Sequence, residues 1–249
     1  MSFVEGSYDQ MGRINIPPQG LYEVKDRQIR LGTRLPVGER VFRYAIAVDE
    51  LAKAKVAVAS ASENGRAVPA ESGIVGDFKV KVTATGANII ANQYVDGYLH
   101  VSDGTGAGDI YRVKEHEVID QNEEGYVTLF DPLRTALSDS ASYIQMISSP
   151  YRAKAAGTTQ LQLPVGVPLV TIAAGKCGWV QTWGPCAVLI DGTGTYGVET
   201  NERLGITSAN TAGAIMKPTA GKHITSQVMV EARDYVTARY EMVFLTIAP

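Results

Sequence analysis

Hydrophobic and polar residues alternate with a period of two in many short segments of the chain. Between Phe78 and Gly86, Val80 and Val82 alternate with lysines, which is the pattern of a strand with one face in water. Similar segments, rich in β-branched or aromatic residues and bounded by turn-forming residues, occupy 97–106, 109–119, 124–131, 141–148, 166–173, 178–183, 186–192, 224–234 and 239–247. This pattern predicts an all-β fold in which many short antiparallel strands form sandwich or barrel-like modules.

Two segments depart from simple alternation. Residues Asp49–Ala61 (DELAKAKVAVASA) suit a short helix, although their second half equally suits a strand. The last segment, Arg239–Ile247, contains four consecutive apolar residues from Met242 to Leu245. A run of this kind predicts a strand that is central to a sheet and covered on both faces.

Turn-forming residues divide the chain into three parts. Residues 1–38 contain Pro17 and Pro18, which cannot donate hydrogen bonds to a sheet, and this stretch is predicted to be an extended N-terminal arm. The small and polar segment Ser148–Gln160 separates two β-rich stretches. The predicted organisation is therefore an arm at 1–38, a first β-rich module at 39–150 and a second at 151–249.

Composition narrows the possible partners. The chain has 249 residues, 45% of them hydrophobic, which suffices for a sizeable core. It carries 23 basic and 26 acidic residues, a formal net charge of -3, and no block of like charges. Nucleic acid is therefore not predicted as a partner, because phosphate binding needs a concentrated basic face. The N-terminal residues do not resemble a secretory signal, and no apolar run is long enough to span a membrane, so no membrane partner is predicted.

A glycine motif near residue 192 resembles a nucleotide-binding turn. Gly192, Gly194 and Gly197 have the Gly-x-Gly-x-x-Gly spacing that lets a helix N-terminus approach a pyrophosphate. The residues after Gly197 are rich in Gly, Asn and Thr and show no helical periodicity. The motif is therefore interpreted as a hairpin loop, and no nucleotide or other cofactor is predicted.

The two cysteines, Cys177 and Cys186, do not have metal-binding spacing. A hairpin that turns at Gly184-Pro185 would place them too far apart for a disulfide. Both are predicted to be reduced and buried.

Motifs typical of metal sites and of catalysis are missing from the sequence. The three histidines, His100, His116 and His223, lie far apart. Asp103, Asp109 and Asp191 lie in or near turns, but no loop alternates carboxylates as a calcium site does, so no metal site is predicted. The sequence contains neither Gly-x-Ser-x-Gly nor His-Glu-x-x-His, and the chain is predicted not to be an enzyme.

Trp179 and Trp183 lie four residues apart, and residues at this spacing share one face of a regular strand. Such a pair can stack on a sugar, fill a core or cover a subunit interface. The apolar character of the surrounding segment favours the core or an interface.

Four segments resemble structural proteins of the tailed-bacteriophage head, of the decoration or cement type. They are RVFRYAIA (40–47), ANQYVDGYLHVSDGTGAGDIYRVKEH (91–116), VTLFDPLRTAL (127–137) and GWVQTWGPCAVLIDG (178–192). The resemblance implies a virion protein that is made in the host cytoplasm and binds the major capsid protein on the capsid exterior. It also implies a homotrimer without enzymatic activity that stabilises the capsid.

Within this interpretation the N-terminal arm grips neighbouring subunits, because it is more apolar than a free disordered tail. The predicted interface residues are Phe3, Tyr8, Ile14, Ile16, Tyr22, Trp179 and Trp183. Two alternatives remain open: a receptor- or glycan-binding module of a tail or fibre, and a β-fold polysaccharide hydrolase whose acidic pair is hidden by the fold.

Overall fold

The structure, a computed structural model, confirms the all-β class. It describes residues 19–60, 67–85, 87–158, 163–191, 211–216 and 238–249, together with the backbone of four short strands outside these ranges. These parts of the chain contain strands and turns and no helix. In particular, none of the described residues belongs to a helix that is long and apolar enough to cross a membrane.

The described strands are numbered in chain order. They are β1 (Ser7–Tyr8), β2 (Ile14–Asn15), β3 (Arg34–Val37), β4 (Arg40–Ala47), β5 (Ala57–Ala59), β6 (Lys79–Thr83), β7 (Tyr98–Asp103), β8 (Ile110–His116), β9 (Glu124–Leu129), β10 (Tyr143–Ile147), β11 (Arg152–Ala155), β12 (Pro164–Pro168), β13 (Cys177–Ile190), β14 (Arg203–Gly205), β15 (Ile224–Val228) and β16 (Arg239–Thr246). Strands β1, β2, β14 and β15 are described by their backbone alone.

The chain forms two compact units, and one of them is discontinuous in sequence. Unit 1 combines residues 1–60 with 150–249, and unit 2 comprises residues 61–149. The predicted module 39–150 is therefore wrong at its beginning. Strand β4 pairs with β13, more than a hundred residues later, and not with the strands that follow it directly. The positions of turn-forming residues in the sequence do not reveal a pairing between strands that are so far apart.

Unit 1 contains a closed ring of strands. Its sheet runs in the order β14-β15-β16-β13-β12-β5-β11-β4-β3, and an additional pairing joins β13 to β4. Strands β4, β13, β12, β5 and β11 therefore close on one another as a small barrel. Strand β13 continues beyond the ring and pairs with β16 along its second half.

The predicted hairpin turn at Gly184-Pro185 is wrong, because both residues lie inside the continuous strand β13. Gly184 has a φ of 89°, and a Cβ at this position would lie 2.7 Å from the carbonyl oxygen of Glu39. A register shift between Gln181 and Trp183 marks a bulge just before it. These residues lie where the pairing of β13 with β4 ends and its pairing with β16 begins.

Both thiols are free and buried, as predicted, although the hairpin behind that prediction is not present. Cys177 lies opposite Ile46 of β4, and Cys186 lies opposite Val243 of β16. Burial raises the pKa of the Cys186 thiol to about 12 and raises that of Cys177 as well. Neither thiol is therefore activated as a nucleophile at neutral pH.

Strand β16 is central to its sheet, as predicted, since it pairs with β13 on one edge and with β15 on the other. The prediction that both of its faces are covered is wrong. Val243 and Leu245 are buried, whereas Tyr240 and Met242 are more than half exposed.

The predicted arm is wrong for residues 19–38, which are part of unit 1 and pack within it. Gln19, Leu31 and Leu35 are buried, and β3 pairs with β4. Of residues 1–18, only the backbones of β1 and β2 are described, and these two strands pair with each other. The segment Asp49–Ala61 forms β5 in its second half, so the strand alternative is correct there.

Unit 2 is built on one antiparallel sheet with the order β10-β7-β8-β9-β6. The alternation predicted from the sequence is confirmed in β6, where Val80 and Val82 are buried and Lys79 and Lys81 face outward. One contiguous apolar cluster supports the inner face of this sheet: Val80, Val82, Ala84, Ile89, Tyr94, Leu99, Val101, Tyr111, Val113, Ile119, Val127, Leu129, Leu133, Leu137, Ile144 and Met146.

Candidate functional site

The structure separates the predicted interface residues into three groups. Tyr22 is 63% exposed, and Trp183 is half-buried with its ring 5.5 Å from that of Phe244. Trp179 is 1% exposed, so its assignment to an interface is wrong. The remaining four, Phe3, Tyr8, Ile14 and Ile16, cannot be placed: Phe3 and Ile16 lie outside the described residues, and only the backbone of Tyr8 and Ile14 is described.

Trp179 belongs to a buried polar network that fixes the segment after residue 18. Its indole N–H donates to the carbonyl oxygen of Gln19 at 2.9 Å, and its ring packs edge-to-face on Tyr44 at 5.2 Å. The Tyr44 hydroxyl donates to Oε1 of Gln19 at 2.6 Å, and Nε2 of Gln19 donates to the carbonyl of Cys177 at 2.9 Å. This network has a structural role, because its polar atoms are satisfied inside the protein.

The glycine motif (Gly192, Gly194 and Gly197) and His223 lie outside the described residues. Within the described ranges, no group of three or more His, Cys, Asp or Glu side chains is arranged to hold a metal ion.

An open groove of about 660 Å³ lies on unit 2 beside β8 and β9, and we call it the β8–β9 groove. Its lining residues are Lys79, Asn92, Glu115, His116, Glu117, Val118, Ile119, Glu124, Gly125, Tyr126 and Thr128. The outward positions of β6, β8 and β9 meet here, because Thr128 lies opposite both Lys79 and Glu115 in the sheet. The groove thus places charged and hydroxyl groups around one aromatic ring.

The aromatic ring is that of Tyr126, which is 50% exposed. Its hydroxyl donates to Oε1 of Glu71 at 2.8 Å, and the Lys81 ammonium lies 5.9 Å from its ring centroid. Lys81 also pairs with Glu124 at 2.7 Å. The hydrogen bond to Glu71 raises the pKa of Tyr126, and the bond to Glu124 raises the pKa of Lys81. Both groups therefore keep their protons at neutral pH.

Because Gly125 has no side chain, the core residue Ile119 packs closely against this part of the groove. A Cβ at this position would lie 2.6 Å from Cγ1 of Ile119, whose side chain is buried. Any larger residue would displace Ile119 and alter the groove beside Tyr126.

His116 lies at the wall of the groove in a fixed neutral tautomer. Its Nε2 accepts a hydrogen bond from the backbone N–H of Tyr94 at 3.0 Å, so this nitrogen carries no proton. Its Nδ1 therefore carries the proton and donates to the carbonyl of Glu117 at 2.9 Å. Burial lowers the pKa of His116. The residue joins the loop before β7 to the end of β8 and is not poised for acid–base chemistry at neutral pH.

Acidification is expected to destabilise unit 2 through His116. Because its folded pKa lies below the ordinary value of 6.5, the unfolded chain binds the proton first as the pH falls through that value. The free energy of unfolding should then decrease by at most about 1.4 kcal/mol per pH unit below pH ~6.5. Urea unfolding at several pH values measures this slope.

The matched variant for this measurement is His116→Gln, whose side-chain oxygen still accepts from Tyr94 but does not titrate. Its unfolding should lose the part of the pH dependence that begins near the ordinary histidine value. An identical slope in both proteins would show that His116 does not carry the effect.

A second exposed feature lies at the other end of the same sheet, and we call it the outer row: Tyr98, Ile110, Tyr143 and Ile147. These side chains are 36–57% exposed. Tyr98 lies directly opposite Ile147 in the pairing of β7 with β10. Ile110 lies opposite His100, whose ring is hydrogen bonded to Gln145 at 3.2 Å. The outer row therefore spans three neighbouring strands.

Sequence reasoning did not identify the groove or the outer row as sites. The alternation of the sequence nevertheless contained a signal for both surfaces. Tyr126 and Tyr98 occupy outward positions of their strands, because each is followed by a buried residue, Val127 and Leu99 respectively. An aromatic residue in the polar phase of a strand indicates exposed apolar surface.

Comparisons with protein-family models, with curated proteins and with solved structures yield no match.

Proposed function

We propose that this chain is a structural protein of the tailed-bacteriophage head, of the decoration type, which binds the major capsid protein on the outside of the capsid. The outer row of unit 2 is the observation that carries the proposal. Tyr98 and Ile110 lie within residues 91–116, one of the four segments in which the chain resembles such proteins.

The outer row has the properties of a surface that is covered in an assembly. Single exposed apolar residues are ordinary, but neighbouring ones on adjacent strands mark interaction sites. Burying this surface contributes roughly 25 cal/mol per Å² of apolar area. His100, Gln145 and Arg112 lie among these apolar residues in the register of β7, β8 and β10, so the same surface also offers polar groups to a partner.

The proposal includes the oligomeric state of the protein. The resemblance implies a homotrimer, which light scattering would detect as about three times the chain mass of 26.7 kDa. A monomer at micromolar concentration would reject a trimer as the state of the free protein.

Co-sedimentation of the chain with capsids assembled from a tailed-bacteriophage major capsid protein tests the proposal. The double variant Ile110→Asp/Ile147→Asp places two charges in the outer row and is expected to weaken capsid binding by about tenfold or more. The control is Ile74→Asp/Val75→Asp, which alters two apolar residues of unit 2 that are more exposed than Ile110 and Ile147 and lie outside the sheet strands.

The control should bind capsids like the unaltered protein and melt at the same temperature. The proposal fails if the unaltered chain does not sediment with capsids. If it does sediment but both double variants bind equally well, the outer row is not the contact.

A further inference from the structure

We propose that the β8–β9 groove binds a neutral oligosaccharide, with the ring of Tyr126 as its stacking surface. This inference does not depend on capsid attachment, because the groove and the outer row share no residue. It rests on the chemistry of the groove, taken in three steps.

The first step is the fixed aromatic ring. Glu71 holds the hydroxyl of Tyr126 and the Lys81 ammonium lies over its ring at 5.9 Å from the centroid, yet half of the side-chain surface is exposed. A side chain that is already ordered loses little conformational entropy when a ligand binds. Tyrosine combines an apolar ring with a polar end, which suits the mixed surface of a sugar.

The second step is the set of hydrogen-bonding groups around the ring. The side chains of Glu115 and Glu117 are exposed at one wall of the groove, and Thr128 lies on its floor next to Lys79. Asn92 stands at the same wall, where its Oδ1 accepts from the backbone N–H of His116 at 3.2 Å. These donors and acceptors match the hydroxyl groups of a polyol.

The third step is charge, which excludes other ligands. Glu115, Glu117 and Glu124 repel a polyanion, so neither nucleic acid nor a sulfated polymer fits. Metal binding is not favoured, since no suitable group of three ligands occurs in the described part of the chain. Lys81 pairs with Glu124, and Lys79 adds a second positive charge near Glu71, Glu115 and Glu117, which disfavours a strongly basic peptide. A neutral ligand with an apolar face and many hydroxyl groups satisfies these conditions.

The experiment is a heteronuclear NMR titration of the full chain with cellohexaose, maltohexaose and chitohexaose at millimolar concentrations. At least one of them is expected to give saturable shifts at residues 115–117 and 126–128. Tyr126→Ala should weaken that binding by about tenfold or more, as expected for loss of a central aromatic contact. Tyr126→Phe keeps the ring and should bind within a few-fold of the unaltered protein.

The matched control is Tyr240→Ala, which removes another exposed tyrosine, on β16, outside the groove and the outer row, and should leave saccharide binding unchanged. Melting curves of each variant show whether the protein stays folded, and Tyr126→Phe keeps the test decisive if Tyr126→Ala does not fold. The proposal is overturned if no hexaose gives saturable shifts in the groove. It is equally overturned if Tyr240→Ala matches the loss in Tyr126→Ala, or if dextran sulfate or polylysine binds the groove instead.

Discussion

Removal of residues 239–249 is expected to leave unit 1 unfolded or insoluble. Eight consecutive residues of β16, from Arg239 to Thr246, pair with β13. Their loss exposes that edge and uncovers Cys186, Val188 and Ile190, which pack on Val243 and Leu245. Each buried aliphatic side chain contributes roughly 1.5–3 kcal/mol, against a total stability of about 5–15 kcal/mol for a domain.

Circular dichroism, solubility and thermal melting of the truncated chain measure this effect. Two point variants of the same strand provide a graded control. Val243→Ala removes a fully buried side chain and should cost about 1–3 kcal/mol, whereas Met242→Ala alters a half-exposed one and should cost less than about 1 kcal/mol. A soluble truncated protein with a cooperative melt of unit 1 would show that β16 is dispensable.

Replacement of Trp179 by alanine is expected to destabilise unit 1 by about 3–5 kcal/mol. The substitution leaves a cavity next to Tyr44 and removes the donor that satisfies the carbonyl of Gln19. An unsatisfied buried acceptor adds its own cost to that of the cavity. Urea unfolding followed by tyrosine fluorescence and circular dichroism measures the change.

Trp183→Ala provides the comparison, because both tryptophans lie on β13. Trp183 is half-buried and contacts the edge of Phe244, so its removal should cost less than the removal of Trp179. Equal losses in the two variants would contradict the central role that the Gln19 network gives to Trp179.

The sequence predicts strands best where burial follows strict alternation. In β6 and β10 the buried residues Val80, Val82, Ile144 and Met146 follow the period of two. Such a pattern is local, since each residue faces the core or the solvent according to its position in its own strand.

Features that depend on pairing between residues far apart in sequence cannot be predicted from this local pattern. Gly184 and Pro185 have the composition of a turn, but β4 pairs with the residues before them and β16 pairs with Gly184 and Pro185 themselves, so the strand stays continuous. The bulge before Gly184 also shifts the alternation, so Trp179 and Trp183 contact different partners despite their spacing.

The candidate site likewise depends partly on the local sequence and partly on residues that are far apart in sequence. Alternation in β9 places Tyr126 on the polar face. The groove around it forms only because β8 and the loop containing Asn92 come to lie beside it. No spacing within the sequence encodes that approach.

The insertion of unit 2 into the sequence of unit 1 has a consequence for synthesis. Strands β5 and β11 pair side by side, and the N–H of Ser60 donates to the carbonyl of Arg152 at 2.9 Å. The chain therefore leaves unit 1 and returns to it at neighbouring points, with residues 61–149 between them. All strands of the unit 2 sheet, β6 to β10, are made before β13 emerges from the ribosome, so this sheet is free to form first. Strand β4 can pair early with β3, but it meets β13 only after residues 177–190 have been made, so the barrel of unit 1 closes late although its first strands are made early.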